Sequence, residues 1–153
     1  MMYDSLVDTK MHMLSVLSKI LIIVQDLIER ASNHDKSKLE SPEKEIFDKF
    51  TPLLRDLEYG SQEYKNTLKD MQVGIDHHYS VNRHHPEFFV DGINGMNLVD
   101  LIEMLCDWKS AGERHTQYPG DILKSIEINS ERFKIDPQLK QILFNTATYL
   151  WYK

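Results

Sequence analysis

"TKMHMLSVLSKILIIVQDLIER", residues 9–30, places His12, Val16, Ile20, Ile23 and Leu27 on one stripe, with spacings of four and three. That is the period of an amphipathic helix, not the two-residue alternation of a strand. Helical punctuation recurs along the chain. "SPE" (41–43) and "TPLL" (51–54) each read as a helix start, with Ser41 or Thr51 as cap and a proline at the first helical position. Gly60 ends a short helix, and Ser61 caps a longer one running towards Asn82. Residues 84–95 hold Pro86, Gly92 and Gly95 and read as a loop. A helix follows from about Asn97 to Arg114, "YPGD" (118–121) turns the chain into another near 122–132, and Asp136-Pro137 opens the last. No long period-two segment, internal repeat or low-complexity tract interrupts this pattern. The 153 residues therefore predict a single all-α domain, a bundle of about six helices spanning 1–153.

The net charge of −6 argues against a nucleic-acid duplex as partner, because such a protein carries a basic stripe. A small anionic substrate is compatible with it, since local Lys or Arg holds such a group. The lone Cys106 excludes an intramolecular disulfide and suits a reducing cytoplasm. The N-terminus lacks the basic region and cleavage site of a signal peptide. The most apolar run, "ILIIV" (20–24), is too short to cross a bilayer and is flanked by Lys19 and Asp26. The expectation is a soluble cytoplasmic protein that needs no membrane, with its oligomeric state open.

Chemistry concentrates in "HHYSVNRHHPEFF" (77–89), which holds four of the seven histidines. An acidic protein gains nothing structural from clustered imidazoles, which repel one another when protonated; a metal ion holds them neutral. On the helix from Ser61 the apolar positions Leu68, Met71 and Ile75 continue to His78, so His78 points inward and His77 lies about 100° round from it. His84 and His85 follow where the chain leaves that helix. "NHDKSK" (33–38) sets His34 and Asp35 side by side at a helix end, a nitrogen ligand beside an oxygen ligand. By itself that dipeptide reads better as a helix C-cap, with His34 near the negative end of the first helix. In "DLIEMLCDWKSAGER" (100–114), Asp100, Glu103, Asp107 and Arg114 share one helix face. The stripe is either solvated or, given Cys106 and Trp108 beside Asp107, a partly buried carboxylate that needs a cation. His12 lies 22 residues from His34, about 33 Å along an unbroken helix, and so serves something other than the same metal.

The order His-Asp, histidine cluster, helical Asp resembles the HD-domain superfamily of metal-dependent phosphohydrolases. "HDKSK" is similar to the HD-x-x-K of its cyclic-dinucleotide phosphodiesterase branch, and "HHPEFFVDGING" and "LCDWKSA" are similar to later segments of that branch. The branch's Gly-Tyr-Pro signature is absent, which argues against cyclic-dinucleotide specificity. Nearly the whole chain also resembles a family of small phage and bacterial proteins, through "RASNHDKSKLESPE", "YGSQEYK", "HHYSVNRHHPEFF" and "GMNLVDLIEMLCDWKSA".

The superfamily resemblance implies an HD-like bundle binding one or two divalent transition metals (Mn, Fe, Co, Ni or Zn). In that reading Asp35 bridges two ions, His34 and Asp107 complete one site, and His78, His84 and His85 complete the other. Lys38 matches a phosphate-contacting lysine, Arg83 is a second clamp candidate, and Glu87 an outer partner orienting a histidine. The implied activity is hydrolysis of a nucleotide or other small phosphate ester. Two alternatives share the metals: a di-iron oxygenase, and a non-enzymatic interaction protein that keeps a metal structurally.

Overall fold

The computed structural model describes residues 4–57, 61–113 and 121–152 and is all-α, with seven α-helices, three short 3-10 turns and no strand among the described residues. The expected helix stop at Gly60, Arg114 and most of the 118–121 turn lie outside them. The chain divides into two compact units, Met1–His34 and Asp35–Lys153.

The first unit is one helix, α1 (Leu6–Asn33), unbroken over 28 residues and capped at its C-terminal end by His34. The apolar pattern continues well beyond the "ILIIV" run on both sides. By length and composition α1 is therefore able to cross a membrane, a test that the core helix of a soluble protein also meets. His12 stays on this continuous helix, roughly 30 Å from its C-terminal end.

The second unit holds α2 (Glu43–Asp56), α3 (Gln62–Asp70), α4 (Gln72–Val81), α5 (Leu98–Glu113), α6 (Ile122–Arg132) and α7 (Pro137–Trp151). Two boundaries differ from the sequence reading. The expected starts at 41–43 and 51–54 merge into one helix that carries Pro52 inside it. Proline is costly there, but Glu43, Ile46, Phe47, Phe50 and Leu54 form one inward stripe that only a continuous helix keeps together. The long helix expected from Ser61 is divided at Met71, which is 2% exposed, into α3 and α4. Ser61 does cap α3, its hydroxyl accepting from Tyr64 N at 3.1 Å. Gly74 lets α4 approach α2, since a Cβ there would lie 3.0 Å from Ile46 Cγ2.

The core joins Leu101, Met104, Leu105 and Trp108 of α5 to Ile122 and Ile126 of α6 and to Leu143 and Ala147 of α7. Each large apolar side chain buried there contributes about 1.5–3 kcal/mol. Trp108 stacks on Phe133 at 6.3 Å between ring centroids. The start of α5 is pinned by a reciprocal cap: Asn97 Oδ1 accepts from Val99 N and Asp100 N, while Asp100 Oδ2 accepts from Asn97 N. Asp100 is fully buried and also accepts from Arg83 Nε at 3.1 Å and Nη2 at 3.0 Å. That forked pair ties α5 to the segment leaving α4, and so fixes where residues 84 and 85 begin.

Removing the Asp100 carboxylate leaves a half-exposed guanidinium without its forked partner and takes away the acceptor of Asn97 N, half of the reciprocal cap. Asp100→Ala is therefore expected to lower the unfolding free energy by about 1–3 kcal/mol, read from the urea midpoint. The exposed Asp91→Ala is expected to change it by less than about 0.5 kcal/mol. Equal midpoints for the two variants would contradict the anchoring role.

Candidate metal centre

Three segments of the second unit bring the candidate ligands together. Asp35 opens the unit in the left-handed conformation, φ 57°, just before a 3-10 turn (Lys36–Leu39). Asp tolerates that region better than most residues, and such strain is found where a side chain must be aimed. α4 supplies His78, which is 3% exposed. After α4 ends at Val81, His84 and His85 precede the 3-10 turn Pro86–Phe88. Gly95, at the end of the next turn, approaches Phe89 so closely that a Cβ would meet it at 2.8 Å. That contact keeps the loop folded back upon itself.

One donor atom each from Asp35, His78, His84 and His85 lies within 4.8 Å of the other three. Asp35 Oδ1 is 3.3 Å from His78 Nε2 and 3.4 Å from His84 Nε2, and His78 Nε2 is 2.9 Å from His85 Nε2. For metal–ligand bonds of about 2.0–2.1 Å, the edge of a tetrahedron is about 3.3 Å. Three of the six donor pairs therefore already stand near the separations that one small cation imposes. Two imidazole nitrogens 2.9 Å apart must share either a proton or a cation.

The far sides of two rings meet carboxylates. Glu43 is fully buried; its Oε2 is 2.8 Å from His78 Nδ1, and its Oε1 is 2.8 Å from His77 Nδ1. Ser37 Oγ donates to Glu43 Oε2 at 3.0 Å, and Asn82 Nδ2 donates to Ser37 Oγ at 2.8 Å. His84 Nδ1 lies 3.3 Å from Glu103 Oε1. A neutral imidazole that gives its Nδ1 proton to a carboxylate keeps the Nε2 lone pair for the centre, the usual outer support of a metal-bound histidine.

The charges agree with this arrangement. Burial works to raise the Asp35 carboxyl, but the adjacent His78 and His84 rings and the Lys38 ammonium hold it well below the usual carboxylate range. Burial likewise opposes ionisation of Glu43, and His77, Ser37 and His78 outweigh it, so this carboxyl too is lowered. His85 is pushed down to about 3, by burial first and then by His84 and His78. The site holds ionised carboxylates and a neutral His85, the protonation states that metal binding requires.

Of the residues singled out in the sequence, Asp35, His78, His84 and His85 come together, and Lys38 stands beside them with Nζ 2.6 Å from Asp35 Oδ2. Lys38 pairs with that second oxygen, and Asp35 presents Oδ1 to the imidazoles. His77 bonds Glu43 and is not one of the four. His34 belongs to the first unit as the cap of α1. Asp107 is not among the four either; its charge acts on His85, favouring the protonated ring. Arg83, expected as a phosphate clamp, is held by Asp100 and lies over the Phe88 and Phe89 rings. Glu87, expected to orient a histidine, pairs instead with Arg132 at 2.7 Å.

Glu43 belongs to none of the candidate stretches of the sequence, and Glu103 stands there only as one carboxylate of the 100–114 stripe. A signal for Glu43 does exist: it sits at the head of the stripe that continues through Ile46, Phe47 and Phe50, and a carboxylate on an inward stripe needs a buried partner. Loss of an outer carboxylate of this kind costs about 10- to 100-fold in metal affinity. Glu43→Gln is expected to weaken binding by that factor in a chelator competition titration while keeping its helical circular dichroism. Wild-type affinity in that variant would reduce Glu43 to a packing role.

A sequence family described as a family of unknown function (DUF5662) matches residues 1–149. No curated protein and no solved structure matches the chain. By a match over nearly its whole length, the chain belongs to that family.

Proposed function

We propose that this protein is a metal-dependent phosphohydrolase acting on a nucleotide or other small phosphate ester, with one divalent transition metal held by Asp35, His78, His84 and His85. The observation that carries the reading is the convergence of one carboxylate oxygen and three imidazole nitrogens within 4.8 Å. A metal bound there supplies a water acidified to near-neutral pKa and a Lewis acid for a phosphoryl oxygen. The chain does the rest. Asp35 and the neutral imidazoles give a donor set of one negative charge, leaving net positive charge to attract an anionic substrate. Lys38, whose side chain is 36% exposed, holds Asp35 and also has the reach and charge to meet a phosphate oxygen.

Four protein donors close a tetrahedral shell but leave two positions on a six-coordinate ion. Manganese, iron, cobalt or nickel thus fits catalysis at this site, whereas zinc fits a structural role. Three imidazoles with one carboxylate also suit iron redox chemistry, which is the second reading.

Protein expressed with metal supplementation is expected to carry about one transition metal per chain by elemental analysis. Loaded with Mn²⁺, Fe²⁺, Co²⁺ or Ni²⁺, it is expected to release phosphate from at least one member of a panel of nucleotides and sugar phosphates. His85→Ala should lose both properties. A metallated protein inactive on the whole panel would overturn the hydrolase reading, and dioxygen uptake by an iron form would replace it with the redox one.

A further inference from the structure

The first unit raises a separate question: what covers α1. A single helix buries nothing within itself, and an isolated helix in water is marginal without a packed face. Taken by itself, α1 leaves Leu14, Leu17, Ile20, Leu21 and Ile23 between 47% and 60% exposed. Their order is not random. Leu6, Met13, Leu17, Ile20, Val24 and Leu27 follow the alternating four-and-three spacing of a coiled-coil seam, interrupted once by Lys10. Leu14, Leu21, Val16 and Ile23 flank the seam and widen it into a face about half the helix circumference. Asp8, Ser15, Lys19, Asp26 and Glu29 run down the opposite side, interrupted by Met11 and Ile22, while His12 and Arg30 border the apolar face beside Ile23.

We infer that α1 is a self-association element, whose apolar face pairs with α1 of a second copy of this chain. The helix is about 42 Å long, and its apolar face amounts to on the order of 1,000 Å². A stable interface takes about 800 Å² per partner, and the largest apolar patch of a monomer is typically about 300–600 Å². The area thus suffices for a dimer.

Charge selects the second copy over a lipid surface. Lys10, Lys19 and Arg30 are balanced within the helix by Asp8, Asp26 and Glu29. An interfacial membrane helix needs a basic polar face, and a spanning helix would bury Lys19 and Asp26 in hydrocarbon. A neutral helix, by contrast, meets its own copy without like-charge repulsion, although the chain as a whole carries −6. Antiparallel pairing about an axis between Ser18 and Lys19 would set Leu17 against Ile20, Met13 against Val24 and Leu6 against Ala31. That is a closed two-fold arrangement with large residues at its centre.

The test is the mass of the full chain in solution by light scattering, at micromolar concentration. The wild type is expected at twice the mass of one chain. Ile20→Glu, which puts a charge on the seam, is expected at the mass of one chain, and Ser15→Glu, on the polar side, at the dimer mass. Should Ile20→Glu fail to fold, the double variant Leu17→Ala, Ile20→Ala keeps helix propensity and should weaken the dimer at least about tenfold. A wild type that runs as one chain overturns the inference, whether the face is covered within the chain or by phosphatidylcholine–phosphatidylglycerol vesicles with which it co-sediments. A dimer indifferent to both seam variants overturns it as well.

Discussion

A carboxylate with no exposed surface, Glu43, lies against Nδ1 of both His77 and His78. Much of the site depends on it. Burying an ionised carboxylate is costly unless its oxygens are all met, and here two imidazoles and the Ser37 hydroxyl meet them. The arrangement sets the tautomer of His78 and points Nε2 at Asp35 and His85. It also draws together the turn after Asp35, the head of α2 and the last turn of α4, elements far apart in sequence. Packing and chemistry are thus one constraint: the residue that would destabilise α2 if left bare is the one that aims the ligand.

α5 supplies the second constraint. Asp100, Glu103 and Asp107 lie on one face at helical spacing and meet successive residues of the segment that follows α4. Asp100 clasps Arg83, Glu103 contacts His84, and the charge of Asp107 acts on His85. The face beside the stripe is the apolar core of Leu101, Met104, Leu105 and Trp108. A single amphipathic helix therefore anchors the core with one side and orders the imidazoles with the other.

Helix periods and the ligand types were legible in the sequence because both are local properties. The stripe from Met71 through Ile75 to His78 turned His78 inward even though the helix divides at Met71. Ser61 caps the helix expected of it, and Asp121 and Asp136 cap helices that begin where the turn and the Asp-Pro step place them, since a cap needs only its own neighbours. What sequence did not disclose was pairing across elements. Arg83 was read as a phosphate clamp because nothing local shows that Asp100, seventeen residues on, takes its guanidinium. Asp107 outranked Glu103 on resemblance to a motif, yet which carboxylate of a stripe touches a ring depends on how the helix is rotated in the fold. The merging of the two proline-marked starts into α2 has the same origin: local propensity favoured a break at Pro52, and the inward stripe overrode it.

The most direct test of the central claim is X-ray absorption spectroscopy on the metal-loaded protein. The account predicts about three imidazoles and one carboxylate in the inner shell, with metal–nitrogen distances of about 2.0–2.1 Å and the outer-shell scattering that intact imidazole rings produce. A shell of oxygens alone, or one with a single imidazole, would show that His78, His84 and His85 converge for some purpose other than holding a metal.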